Sequence, residues 1–128
     1  MRIKATALIC LLFSSGYATA EGCPVSDAGY SETRYQGSFK GGDSTAFCRL
    51  VGEWGPNAFI LCSVTNNRGT CENVQSGPIG DPGYPQTQRW QDENKDGYID
   101  FCRTIGNPPV KYTRCSFGPR FNEIKDIR

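Results

Sequence analysis

An internal repeat with a period of 54 residues constrains this chain more than any other feature. The segments that recur in the same order are DAGY at 27–30 with DPGY at 81–84, AFCRLVG at 46–52 with DFCRTIG at 100–106, and, after one deletion, CS at 62–63 with CS at 115–116. An ordered series of this kind indicates a tandem duplication, in which one small supersecondary unit is built twice. We expect repeat units of about residues 27–80 and 81–128.

The first twenty residues have the pattern of a secretory signal peptide. Arg2 and Lys4 precede a short apolar run, and Ala18-Thr19-Ala20 matches the small-x-small cleavage site before Glu21. The run is too short to cross a bilayer, and we expect no membrane span elsewhere. The expected mature protein, a single domain of residues 21–128, is therefore secreted or periplasmic. Cleavage lowers the net charge from +1 to −1, which provides no general attraction to nucleic acid.

Six cysteines remain in the expected mature chain, and an even number is typical of disulfides in exported proteins. In each unit two cysteines lie symmetrically about a turn signal, Gly55-Pro56-Asn57 in the first and Pro108-Pro109 in the second. The flanking runs are rich in β-forming residues, so each unit is predicted to form a hairpin with facing cysteines. The expected pairs are Cys48–Cys62, Cys102–Cys115 and, by elimination, Cys23–Cys71.

These hairpins predict an all-β fold, a small disulfide-stapled domain of two tandem blade-like units. Residues 47–51 and 58–64 are largely apolar on both faces, so we expect the first hairpin to lie centrally. The Gly/Pro-rich run 76–85 is expected to connect the units, and residues 121–127 are expected to form helical turns or to fray. Two units of this length are too short for a closed propeller.

One motif has the chemistry of a cation site. Residues 92–100 read D-x-N-x-D-G-x-I-D, which places side-chain oxygens at positions 1, 3, 5 and 9 and a backbone carbonyl at position 7. Oxygen donors at such spacing suit Ca²⁺, and glycine at position 6 permits the sharp bend. An EF-hand has glutamate at position 12, where this chain has Arg103 in a predicted strand, so a helix–loop–helix site is not expected. The alternative is a solvated turn without a bound ion.

The same motif resembles the calcium loops of FG-GAP, or VCBS-like, repeats of integrin-type β-propellers, which lead directly into a strand. DENKDGYIDFCRTIGNPP also resembles cysteine-containing versions of these repeats, and the close match covers about 20 residues of the second unit. The resemblance implies a Ca²⁺ site with the side chains of Asp92, Asn94, Asp96 and Asp100 and the carbonyl of Tyr98 as ligands. The aligned stretch of the first unit, residues 38–46, lacks these donors and is not expected to bind Ca²⁺ in this way.

Two weaker features indicate a ligand face. Two tryptophans are candidate stacking platforms for a sugar: Trp54 beside the hairpin turn, and Trp90 just before the loop of residues 92–100. Arg103 and Arg114 belong to a basic C-terminal stretch that is a candidate anion-binding face. The alternative for all four side chains is packing within the protein.

Together, these features favour an exported, non-catalytic, calcium-stabilised module that binds a glycan or a protein, for instance as an inhibitor or immunity-type protein. A structural component that forms homo-oligomers is the alternative. A hydrolase is less favoured. The absence of histidine excludes Ser-His-Asp and Cys-His catalysis, and Asp43, Glu53 and Glu72 lack the spacing of a catalytic pair.

Overall fold

The computed structural model describes residue 25 and residues 27–127, which form two four-stranded antiparallel sheets. Sheet 1 contains, in spatial order, β1 (Tyr35–Lys40), β2 (Ser44–Val51), β3 (Phe59–Asn66) and β4 (Cys71–Pro78). Sheet 2 contains β5 (Arg89–Gln91), β6 (Asp100–Asn107), β7 (Val110–Phe117) and β8 (Glu123–Ile127). One 3₁₀ turn precedes each sheet, at Ser31–Thr33 and Pro85–Thr87. The predicted all-β fold is confirmed, and neither sheet closes into a barrel.

Both predicted hairpin disulfides are present. Cys48 lies opposite Cys62 across β2 and β3, and Cys102 lies opposite Cys115 across β6 and β7. Each hairpin forms the two central strands of its sheet, in agreement with the apolar character of both faces of the first hairpin. Cys23, the expected partner of Cys71, and the expected signal peptide lie outside the described residues.

The C-terminal expectation is wrong, since Glu123–Ile127 forms an edge strand rather than helical turns. This strand pairs with β7 from Phe117 opposite Glu123 to Thr113 opposite Ile127. The open edge of β7 supplies backbone donors and acceptors that only an extended neighbour can satisfy, and this pairing overrides weak local helix preference. The connector between the units also begins later than expected, because β4 continues to Pro78.

The two sheets pack front to back. We call the side of each sheet that bears the disulfide its cysteine face, and the side that bears Arg49 or Arg103 its arginine face. The cysteine face of sheet 1 packs on the arginine face of sheet 2, and the buried cluster between them includes Leu50, Ile60, Val64, Val74, Phe101 and Phe121. Burial of each such side chain contributes about 2 kcal/mol. A smaller cluster on the cysteine face of sheet 2 contains Cys102, Cys115 and Phe117.

Each unit begins with the same tight turn, and the turn requires glycine for a steric reason. The amide of Gly29 donates to Asp27 Oδ1 at 2.9 Å, and the amide of Gly83 donates to Asp81 Oδ1 at 2.8 Å. Both glycines have positive φ, 70° and 79°. A Cβ atom at either position would lie 2.6 Å from a carbonyl oxygen of the following hairpin. The D-x-G-Y repeat is therefore required for the turn to approach its sheet closely.

A buried arginine fixes this turn to the sheet in each unit. Arg49 Nε donates to the Asp27 carbonyl at 2.8 Å, and Arg103 Nε donates to the Asp81 carbonyl at 3.0 Å. Both guanidinium groups also donate to a serine hydroxyl on the neighbouring strand, Ser63 or Ser116. The same hydrogen bonds thus recur in both units. The repeated segments at 46–52 and 100–106 therefore each supply the arginine that holds the leading turn against the sheet.

Arg103 additionally connects the two units. Its Nη2 donates to the carbonyl of Ile79, at the end of the first unit, over 2.7 Å. The side chain is fully buried. Burial lowers the pKa of Arg103 to about 10, and the nearby Arg114 acts in the same direction. Backbone carbonyls and a hydroxyl, rather than a carboxylate in direct contact, therefore solvate this cation within the protein.

We expect Arg103→Met to lower the free energy of unfolding by about 3 kcal/mol or more, because it removes the charged donor from three buried acceptors. Arg103→Lys should restore only part of the loss, since one ammonium cannot replace the planar fork. Urea unfolding followed by tryptophan fluorescence measures both changes. Arg68→Met, at an exposed turn, is the control. An equal loss of stability in Arg68→Met and Arg103→Met would contradict the role of Arg103 in joining the two units.

Candidate metal centre

The loop of residues 92–100 leads from β5 into β6 and brings three carboxylates together. One carboxylate oxygen from each of Asp92, Asp96 and Asp100 lies within 4.8 Å of the other two. The chain reverses sharply because Lys95 and Gly97 both have positive φ, 61° and 96°. Glycine adopts this conformation without a steric penalty, whereas lysine does so at a cost that the rest of the loop must offset.

Six backbone amides orient the three carboxylates. Asp100 Oδ2 accepts hydrogen bonds from Glu93 and Asn94 at 2.7 and 3.4 Å, and its Oδ1 accepts one from Gly118 at 2.9 Å. The remaining bonds run from Asp96 and Gly97 to Asp92 at 3.1 and 2.8 Å, and from Tyr98 to Asp96 at 3.0 Å. An ionised carboxylate can accept about four hydrogen bonds. Each carboxylate therefore keeps acceptor capacity for a cation.

The charge of this cluster is not balanced by an ion pair among the described residues. The two ion pairs found there, Arg114–Asp126 and Lys125–Glu123, both lie in sheet 2 away from the loop. Asp100 is fully buried, and this burial raises the pKa of its carboxyl group. The three amide hydrogen bonds lower that pKa, while the charge of Asp96 raises it. A divalent cation would remove the repulsion between these carboxylates.

The other two predicted ligands lie in the same loop. Asn94 is exposed, and Tyr98 is half-buried. The Tyr98 ring makes an edge contact with Phe39 at 5.8 Å, and the Lys40 ammonium lies 5.1 Å from the ring centre. The side chain of Tyr98 is thus used for packing, which leaves its carbonyl as the candidate donor. A second cluster, Glu93 with the sulfurs of the sheet 2 disulfide, offers no thiolate ligand.

The acidic loop of residues 92–100 also contacts sheet 1, which the sequence did not indicate. The Gly41 amide donates to the Gly97 carbonyl, and the Ile99 amide donates to the Phe39 carbonyl, both over 3.0 Å. Residues 98 and 40 form an isolated antiparallel bridge between these bonds. The loop of the second unit is therefore joined to the β1–β2 hairpin, its counterpart in the first unit. Order in the loop and order at the junction between the sheets are physically coupled.

The structure separates the two tryptophans that were expected on a ligand face. Trp54 lies in the β2–β3 loop, where 43% of its surface is exposed, and makes an edge contact with Tyr30 at 5.0 Å. Trp90 packs between the sheets, with ring centres 5.7 Å from Tyr35 and 4.7 Å from Phe101. Trp90 is therefore a packing residue, and Trp54 remains a candidate for ligand contact.

Arg103 and Arg114, the two arginines expected on a ligand face, also lie in different environments. Arg103 is fully buried and cannot belong to an exposed face, so that expectation is corrected by its role in hydrogen bonding the unit junction. Arg114 is partly exposed and forms a two-pronged ion pair with Asp126, at 2.6 and 3.2 Å. This pairing raises the pKa of Arg114 and uses the charge that an anionic ligand would require.

Comparison of the chain with family models, with curated proteins and with solved structures gave no match. Among the described residues, no helix has the length and apolar character needed to cross a membrane. Interpretation of the site therefore depends on its own geometry.

We expect Trp90→Ala to destabilise the protein by about 3 kcal/mol, because it leaves a cavity among the aromatic rings between the sheets. Trp54→Ala should cost less, about 1 kcal/mol, since 43% of the Trp54 surface is already exposed and it lies outside the core between the sheets. Thermal unfolding followed by circular dichroism compares the two variants. Equal losses of stability would contradict the distinct positions assigned to these residues.

Proposed function

We propose that this protein is an exported, Ca²⁺-stabilised binding module that recognises a glycan or another protein and has no catalytic activity. The observation that carries the proposal is the cluster of Asp92, Asp96 and Asp100, whose oxygens converge within 4.8 Å without a cationic partner among the described residues. An oxygen-only donor set of this charge suits Ca²⁺. The resemblance of the loop to FG-GAP or VCBS-like repeats supports the same assignment.

The residues that would hold the ion are the four side chains and one carbonyl expected from the motif: Asp92, Asn94, Asp96, Asp100 and Tyr98. Bound Ca²⁺ supplies the positive charge that three neighbouring carboxylates need. The amides of the loop hold those carboxylates in place, and the bonds from Gly97 and Ile99 to sheet 1 extend that order to the sheet junction. We infer that the ion serves structure by ordering the junction between the two sheets.

The separation of two of the candidate carboxylates argues against their acting together as a catalytic pair. Asp43 precedes β2 and Glu53 follows it, so these carboxylates are separated by an eight-residue strand, or about 25 Å. That distance is too large for the paired carboxylates of a glycosidase. Trp54 and Tyr30 instead present an aromatic pair beside the β2–β3 turn. Exposed aromatic side chains suit stacking on a sugar or anchoring a protein partner.

Two disulfides support function outside the reducing cytoplasm. They agree with the signal-peptide pattern in the sequence, and secretion or periplasmic location is part of the proposal.

Calorimetric titration of Ca²⁺ into chelator-treated, oxidised protein comprising residues 21–128 tests the metal site. We expect one saturable site and an affinity about tenfold or more lower in Asp96→Asn, because that variant removes one ligand charge. At free Ca²⁺ 100-fold above Kd, stability should rise by about 2.7 kcal/mol. Asp43→Asn, at the counterpart hairpin of the first unit, is the matched control. Absence of binding at millimolar Ca²⁺ would overturn the metal assignment.

A panel of neutral and acidic oligosaccharides, tested by calorimetry with Ca²⁺ and with chelator, examines the binding function. For an oligosaccharide that binds, we expect Trp54→Ala to weaken affinity about tenfold, because stacking on one aromatic ring contributes about 1–2 kcal/mol. Trp54→Phe keeps a ring and should retain most of the affinity. Unchanged affinity in Trp54→Ala would contradict the assignment of this aromatic pair.

A further inference from the structure

A cavity of about 280 Å³ lies where the two sheets meet, at the end of sheet 1 opposite Trp54. Ser44, the first residue of β2, lines this cavity, whereas Trp54 lies beyond the last residue of the same strand. Sheet 1 contributes side chains of its cysteine face, and the second unit contributes the acidic loop and the segment before β8. Small-molecule sites begin at about this volume, so the cavity suits a ligand of the size of one sugar ring.

The backbone holds two walls of this cavity in place. The isolated bridge between residues 40 and 98 fixes one wall to the acidic loop. The Gly118 amide, two residues before Arg120, fixes the other by donating to Asp100 Oδ1 at 2.9 Å. The cavity is therefore formed before any ligand enters it, as is usual for small-molecule sites.

The charged groups of the cavity are mainly cationic. Lys40 and Arg120, both exposed, contribute two positive charges, and Glu72 contributes one carboxylate. The Lys40 ammonium lies 5.1 Å from the centre of the Tyr98 ring. Unlike Arg114, neither Lys40 nor Arg120 forms an ion pair with a described residue. An anionic group in the cavity would therefore meet two cations whose charge is not already used.

The rest of the lining combines apolar side chains with hydrogen-bonding groups. Phe39, Val64 and Val74 supply a buried apolar surface. Ser44 is only 9% exposed, and its hydroxyl has no hydrogen-bond partner among the described residues. Asn66 Oδ1 accepts from two backbone amides at 2.9 and 3.0 Å, which leaves the side-chain nitrogen as a donor. Buried hydroxyls normally have a partner, and a polar ligand group would supply one for Ser44.

We propose that this cavity binds one carboxylate-bearing sugar residue, a hexuronate, of an acidic glycan. The carboxylate pairs with Lys40 and Arg120, and the ring hydroxyls form hydrogen bonds with the side chains of Ser44 and Asn66. The C–H groups of the ring pack on the apolar part of the lining. Charge complementarity selects this sugar over a neutral hexose of the same shape. The proposal rests on the glycan-binding function proposed above and names its ligand class, at a site separate from Trp54.

Chemical-shift titration of ¹⁵N-labelled, oxidised protein comprising residues 21–128 with galacturonate tests the site. A ligand of about thirteen non-hydrogen atoms at ordinary efficiency has a Kd of about 1 mM, which this method measures directly. We expect saturable shifts at the amides of Lys40, Ser44 and Asn66. Galactose, which has the ring without the carboxylate, and propionate, which has the carboxylate without the ring, should each bind about tenfold more weakly.

Two variants test the cations of the cavity. Lys40→Gln and Arg120→Gln should each weaken galacturonate binding about tenfold, because each removes one charge-assisted hydrogen bond. Both side chains are exposed, so these substitutions should not prevent folding. Lys111→Gln is the matched control, since Lys111 is also exposed and its ammonium also lies over a tyrosine ring, 4.9 Å from the centre of Tyr84. The control should keep the affinity for galacturonate.

Saturable shifts at the cavity that weaken in both cavity variants, and not in Lys111→Gln, support the proposal. The absence of saturable shifts up to about 50 mM galacturonate would overturn it, as would equal affinity for galacturonate and galactose or propionate. Shifts confined to the surroundings of Trp54 would overturn it and leave the proposed glycan-binding function intact. Calorimetry of the same samples measures Ca²⁺ affinity separately, so failure of this inference is distinguishable from failure of the metal assignment.

Discussion

The buried guanidinium of Arg103 satisfies backbone carbonyls at the point where the two sheets meet. It donates to the turn that begins the second unit and to the Ile79 carbonyl near the end of the first unit, so one side chain sets the path of the chain between them. The cost of burying a charge is offset by hydrogen bonds to carbonyls and to Ser116. Arg49 makes the corresponding bonds to its own turn and serine in the first unit. The orientation of each hairpin relative to its leading turn follows from this interaction.

The two repeated segments thus form two sheets with different surroundings. The cysteine face is apolar in sheet 1, where it is covered, and charged in sheet 2, where it faces outward. The arginine face of sheet 2 packs on sheet 1, whereas the arginine face of sheet 1 carries the turn of residues 27–30 over the buried Arg49. The two units therefore differ more at their sheet faces than at their leading D-x-G-Y turns, because the turns make the same hydrogen bonds in both units.

The acidic loop of residues 92–100 occupies a position at which the two repeats differ strongly. In the first unit the corresponding segment is a short hairpin turn, and in the second it is an acidic loop between β5 and β6. Backbone bonds through Gly41 and Ile99 join these two segments. A charge-dependent change in the acidic loop would consequently be transmitted to β1, at the edge of sheet 1. The loop thereby connects its three carboxylates to the junction of the two sheets.

The sequence by itself determined the features that depend on short-range chemistry. The hairpins with Cys48–Cys62 and Cys102–Cys115, the duplication and the convergence of Asp92, Asp96 and Asp100 all follow from spacing along a few turns of chain. Asn94 and Tyr98 lie in the same loop, and their role as ligands stays a prediction.

Only the tertiary structure decided which surfaces are covered. It placed Arg103 and Trp90 inside the protein, left Trp54 exposed, and made an edge strand of Glu123–Ile127. It also brought the acidic loop against β1. These outcomes could not be read from local patterns, because an arginine, a tryptophan or a short mixed segment is compatible with either environment. The physical reason is that burial and edge pairing are set by residues distant in sequence, whose packing outweighs local preference.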